Sequence, residues 1–185
     1  MLDFVQQLVS GVALGCVYGL IALGFVLVYK ATEVVNFAQG DLMMLGGFFA
    51  FTFIGILGLN YWIGFVGAVI AMAAFGMLAE RVVSIVWAIS AAVAGTAGVL
   101  LAPITFIHSN VGLVLGLKAF PAAVLGGFGS IPGALVGGVL IGVIESMAGF
   151  YLAEGWKDVA PYIVLLLVLL LKPEGLFGLR MRKKV

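Results

Sequence analysis

The chain has 185 residues, 64% of them hydrophobic and 9% charged, with a net charge of +1. A soluble domain carries about 25% charged residues, so the composition excludes a water-soluble globular fold, and near-neutrality excludes a nucleic-acid footprint. One cysteine, Cys16, and one histidine, His108, rule out an intrachain disulfide framework and argue against a metal site or a His-based triad.

The N-terminus MLDFVQQ has no basic region and no small-residue cleavage site, so the first apolar segment is expected to stay in the membrane rather than be removed. That segment, Phe4 to Tyr29, is long enough to cross a bilayer, which takes about 20 residues. Gly11, Gly15 and Gly19 recur at four-residue spacing and make one smooth face, the pattern of a helix packed closely on another. Gln6, Gln7 and Ser10 lie near its start, at the interface.

Lys30 to Asp41, KATEVVNFAQGD, is the first polar interruption. It is too short for a domain, and Val34, Val35, Phe37 and Ala38 call for burial. A re-entrant or interfacial segment near 31–41 fits, because irregular backbone at membrane depth is tolerated where it is buried in protein or lines a cavity. Asp41 is placed to cap the next helix, and Asn36 and Gln39 add hydrogen-bonding groups. The segment reads either as a connector with a cap or as a polar element beside a pore.

Leu42 to Leu57 is the second span, followed by a turn at Gly58–Trp62 with belt aromatics. Ile63 to Ala79 is the third. Ile85 to Leu101 comes almost at once, with only Glu80–Ser84 between. One straight helix over 63–101 would run about 58 Å at 1.5 Å per residue, against a hydrocarbon core of about 30 Å. Either the chain turns sharply at Glu80–Ser84, without Gly, Pro or Asn, or a helix projects from the membrane. Ala102 to Gly116, with Pro103, His108, Ser109 and Asn110, reads as a loop outside the bilayer, and His108 as a solvated loop residue.

Leu117 to Met147 is the Gly-rich centre of the chain. Glycines cost about 1 kcal/mol each against Ala in a soluble helix, but in lipid they let backbones approach. Gly133/Gly137 and Gly138/Gly142 form two small-xxx-small pairs. The stretch reads as two membrane segments joined at Phe128–Pro132, with Lys118 ahead of the pair and Pro132 in the first turn of the second helix. The bland reading is a Gly-rich buried bundle helix with no specific role. Glu145 is a functional candidate as an intramembrane carboxylate, or an interfacial group that is solvated or paired with Lys157. Tyr151 to Asp158 reads as a surface loop. Val159 to Leu171 is a final span with Pro161 in its first turn and a Leu/Val surface suited to lipid. The tail carries Lys172, Arg180, Arg182, Lys183 and Lys184 against Glu174, which makes this end cytoplasmic by the positive-inside rule. The reading is an all-α, polytopic helical bundle of about six spans.

With these residues in view, the chain resembles the LivH-type permeases of branched-chain amino acid ABC importers. The resemblance rests on the Gly-rich first helix ending in Asn36-Phe37-Ala38-Gln39-Gly40-Asp41, on SAAVAGTAGVLLAP at 90–103, on GLKAF and AVLGGFGSIPGALVGG within 116–146, and on WKD at 156–158 with KPEGLFG at 172–178. One departure stands out. Such permeases carry a basic loop, further spans and a cytoplasmic coupling helix after a segment like ERVV. Here residue 83 joins directly to the family's helix on the far side of that block. The chain thus reads as a single permease domain, 1–185, with an internal deletion between Val83 and Ser84 that removes the segment by which the family couples to ATP hydrolysis.

The resemblance implies an inner-membrane subunit, not an enzyme, working with a second LivM-like permease, two cytoplasmic ATPase subunits and a periplasmic amino-acid-binding protein. It implies no cofactor, no metal and no catalytic residue. Asn36, Gln39, Asp41 and Glu145 are the substrate-pathway candidates, since a zwitterion needs polar groups at apolar depth. Gly11, Gly15, Gly19, Gly133, Gly137, Gly138 and Gly142 are the helix-packing candidates. The rival readings are a truncated, non-transporting membrane protein and a secondary transporter, the latter requiring intramembrane ionisable pairs and related broken helices.

Overall fold

The computed structural model describes residues 2–77, 84–103, 110–152 and 155–178. His108, the Glu80–Val83 part of the junction and the cations Arg180, Arg182, Lys183 and Lys184 lie outside the described residues. Within them the chain forms seven α-helices: α1 (Leu2–Thr32), α2 (Gln39–Ala50), α3 (Tyr61–Met77), α4 (Ser84–Leu101), α5 (Val111–Gly126), α6 (Ile131–Tyr151) and α7 (Trp156–Leu171). The helix α2 runs on as a π-helix over Phe51–Ile56. Asp3–Thr32, Gln39–Ile56 and Ile131–Tyr151 are long and apolar enough to cross a membrane. The all-α bundle expected from composition is the fold found.

At its centre α1 and α6 run antiparallel in the most extensive helix contact of the bundle. Glycine makes this possible. A methyl group on Gly15 would lie 2.6 Å from the Val139 Cα, and one on Gly11 would lie 2.9 Å from the Val143 Cα. Across the crossing, a methyl on Gly138 would collide with the Gly19 backbone and one on Gly142 with Gly15. The second pair on α6 faces elsewhere: a methyl on Gly133 or Gly137 would strike the carbonyls of Gly126 and Ala122 on α5. Each small-xxx-small pair of α6 therefore serves a different neighbour. Around this pair sit α4 and α5, with α2 between them, α3 outside α4, and α7 outside α5 and α6.

The α5–α6 turn matches the sequence reading closely. Gly127 takes a φ of 94°, which only glycine adopts without strain. Ser130 is the N-cap of α6 and its Oγ accepts from the Gly133 N–H at 3.1 Å, with Pro132 in the first turn. Three other expectations need correction. The 102–116 stretch is not all loop: α5 begins at Val111, so Lys118 lies well inside a helix and not ahead of it. Asp41 does not cap α2, which starts earlier, with Ala38 at the N-cap; Asp41 sits exposed in the first turn with no capping bond. Pro161 lies inside α7 rather than in its first turn, because the helix begins at Trp156.

Segment 33–38 turns back on itself. Glu33 adopts a φ of 56°, and the chain returns alongside α1 so that Gln39 abuts Gly24. Gly24 precedes the end of α1 by a distance of about 12 Å at 1.5 Å per residue. The Phe37 ring lies 5.5 Å from that of Phe120, and Phe120 in turn 5.8 Å from Phe128. Burial is less complete than the composition suggested: Val34 and Phe37 remain exposed, and only Val35 packs on the core.

Candidate functional site

Two polar clusters interrupt the apolar interior. The first joins four helices. Tyr18, midway along α1, donates its hydroxyl to Oε2 of Glu145 on α6 at 2.6 Å. Lys118 on α5 donates to Oε1 of Glu145 at 2.7 Å and also reaches Oδ1 of Asp158, in the first turn of α7, at 2.7 Å. Glu145 is 1% exposed and Tyr18 1%, so a lone carboxylate there would be very costly. Both of its oxygens are engaged, and the Lys118 ammonium supplies the opposite charge. The outer end differs, since the Asp158 side chain is 69% exposed. The Lys118 hydrogen bond and charge hold the Asp158 carboxyl below the usual carboxylate range.

Glu145 therefore does not pair with Lys157, whose aliphatic chain instead packs beside Gly149. Beyond Glu145 toward the helix ends, Gln7 Nε2 donates to the Ser146 carbonyl and hydroxyl at 2.9 and 2.8 Å, and Ser146 Oγ donates back to the Gln7 carbonyl at 3.1 Å.

The second cluster fixes the start of α2. Gln39 is fully buried. Ser90 Oγ on α4 lies 3.1 Å from both Gln39 Oε1 and the Gly24 carbonyl, and Gln39 Nε2 donates to the Ser90 carbonyl at 3.4 Å. Gln39 fits here because residue 24 has no side chain; a methyl group on Gly24 would overlap Gln39 Nε2 and push its amide aside. Asn36 stands next to this cluster. Its Oδ1 accepts from the Ala38 N–H at 3.1 Å, while its buried Nδ2 has no hydrogen-bond partner among the described residues.

Of the four pathway candidates, Asn36 and Gln39 thus lie at the α1–α2 return, Glu145 belongs to the separate ionic cluster, and Asp41 faces outward. Tyr18, Ser90, Lys118 and Asp158 are polar partners that the sequence reading did not single out. The signal for Lys118 was present: it and Glu145 are opposite charges on the two arms of one Gly-turned hairpin. No group of three or more His, Cys, Asp or Glu placed to hold a metal occurs among the described residues.

The chain matches the family model described as the permease component of branched-chain amino acid transport systems, over residues 7–84 and 71–169. The chain belongs to that family. This permease is similar to the high-affinity branched-chain amino acid transport system permease protein LivH of Salmonella typhimurium, with 28% identity over 296 residues, covering 96% of each chain. It has the same identity and coverage with LivH of Escherichia coli. It is 26% identical over 294 residues to the permease protein BraD of Pseudomonas aeruginosa, covering 95% of this chain and 96% of the relative. These alignments run over far more positions than the 185 residues of the permease, so a block of each relative stands opposite no residue here. No solved structure matches the chain.

Proposed function

We propose that this permease is a membrane-spanning subunit of an ABC importer that moves leucine, isoleucine, valine and related hydrophobic amino acids across the bacterial inner membrane, with its C-terminus cytoplasmic. The observation that carries this reading is the family match across both halves of the chain, 7–84 and 71–169. The fully paired Tyr18–Glu145–Lys118 cluster supports it, since ionisable groups inside a membrane bundle mark transport machinery by default. A second LivM-like permease, two cytoplasmic ATPase subunits and a periplasmic amino-acid-binding protein would complete the assembly. The permease would do no bond chemistry; ATP hydrolysis would belong to the ATPase subunits.

Asn36, Gln39, Asp41 and Glu145 are proposed to line or control the pathway. Asn36 is the strongest of them, because its unsatisfied Nδ2 is free to meet a carboxylate or carbonyl. Glu145 would act through the ionic cluster rather than by meeting the substrate, as both of its oxygens are occupied. Asn36→Ala and Asp41→Ala, with uptake measured at equal membrane abundance, test the assignment; unaltered uptake would count against it.

A second reading has its own support. The family model matches in two pieces that meet at 71–84, and the relatives align over more positions than this chain possesses. Both favour an internal deletion near Val83 and Ser84, and with it a non-transporting form that has lost its ATPase-docking segment. Co-purification of an ATPase subunit with the 185-residue chain separates the two readings.

A further inference from the structure

The helix α7 is the most weakly embedded of the bundle: among its described residues only Pro161 is buried. Its two ends are held in different ways. At the C-terminal end the chain continues into 172–178, where the Leu176 and Phe177 N–H groups donate to the Leu125 and Gly126 carbonyls at 2.7 and 3.1 Å. Those carbonyls belong to the last turn of α5 and have no partner within their own helix, so the tail is fastened by backbone bonds. At the N-terminal end the ties are side chains. Lys118 reaches Asp158, and the Tyr162 hydroxyl donates at 3.4 Å to the Leu117 carbonyl. Pro121 has no N–H to give that carbonyl, so it is left open for Tyr162.

We propose that Lys118 is a positioning residue that clips the N-terminal end of α7 to the α1–α5–α6 core, and that its Asp158 arm opens during transport while its Glu145 arm stays closed. This rests on the transport reading given above. The asymmetry of burial carries it. Parting Lys118 from Glu145 would strand a charge in the apolar interior beside Tyr18, which is strongly unfavourable. Parting Lys118, whose side chain is 11% exposed, from Asp158 releases a carboxylate that is already 69% exposed and leaves Lys118 its other partner, at a cost well below that of stranding Glu145. With the tail bonded to α5, α7 would pivot about its C-terminal end.

The test uses the cysteine pair Gly149→Cys and Lys157→Cys on a Cys16→Ser background. A Cβ at Gly149 lies 3.6 Å from the Lys157 Cβ, inside the disulfide range, so oxidation would lock α7 onto α6. Two readouts decide. In membranes, adding Asp158→Asn should slow cross-linking by about fivefold, the upper end for an ion pair with a solvated member; an unchanged rate overturns the clip. In the assembled transporter, oxidation should abolish leucine uptake and reductant should restore it; uptake indifferent to the lock overturns the opening step while leaving the transport reading standing. If the reduced protein and the wild type both fail to take up leucine with their partners, the transport reading falls, and the cross-linking rate alone decides whether Lys118 and Asp158 clip α7.

Discussion

The Tyr18 hydroxyl and the Glu145 carboxylate meet at 2.6 Å in the buried interior of the bundle, and the Lys118 ammonium closes the other side of the same carboxylate. Removing one member of such a set is worse than removing both. Lys118→Met should destabilise the protein by about 3–5 kcal/mol, because it leaves Glu145 buried without its counter-charge. Lys118→Met combined with Glu145→Leu should recover a large part of that loss. Tyr18→Phe deletes one bond to a charged group and should cost about 1.5–3 kcal/mol. Unfolding of the detergent-solubilised protein, arranged as a double-mutant cycle, measures all three; equal losses for the single and double variants would contradict the pairing.

The α1–α6 crossing predicts a sharp contrast among glycines. Gly15→Ala, Gly138→Ala and Gly142→Ala each place a methyl group on backbone of the facing helix, so the helices must separate, at a cost of about 1–3 kcal/mol or more. Gly129→Ala meets nothing within 4 Å and should leave the yield of folded protein unchanged. Comparing monodisperse yield after solubilisation across the four variants checks the ranking.

Gln39 depends on Ser90. Ser90→Ala leaves the Gln39 amide and the Gly24 carbonyl short of a partner in a fully buried site, which should cost about 1–3 kcal/mol. Gly24→Ala should be worse, because it displaces the Gln39 side chain itself. The expected signature is faster proteolysis within 33–38, where the return segment would lose its anchor.

Gly175 and Gly178 hold the tail against α5. Gly175 has a φ of 78°, and a methyl group on Gly178 would collide with the Glu174 carbonyl. Gly175→Ala should cost about 1 kcal/mol or more from backbone conformation alone. It should also raise hydrogen exchange at the Leu176 and Phe177 amides, which are bonded to α5.

The helices, the Gly-Pro turn and the family are legible in the sequence because each has a local signature. Glycine spacing, the Ser130–Pro132 start signal and long apolar runs need no knowledge of what lies across the bundle. The ionic cluster is only half legible. Glu145 stands out as a carboxylate in an apolar run, but its partners come from residues far apart in the chain. Lys118 reads as lying ahead of the helix pair because Pro103 to Asn110 make the whole 102–116 stretch resemble a loop. Asp41 looks like a cap because it precedes an apolar run; the helix starts earlier because Gln39 is drawn inward by Ser90, and side-chain bonds between distant helices leave no trace in local pattern. Ser90 itself is a small polar residue in an apolar helix, and its role emerges only when Gly24 and Gln39 are seen beside it.

Radiolabelled leucine uptake into vesicles decides whether the chain transports. The vesicles would hold the partner permease, the ATPase subunits and the binding protein, with and without this chain. ATP-dependent uptake should require the chain, be competed by isoleucine and valine, and be lost in Lys118→Met at equal membrane abundance. Uptake that is the same without the chain, or absent with it, would rule out the transport role.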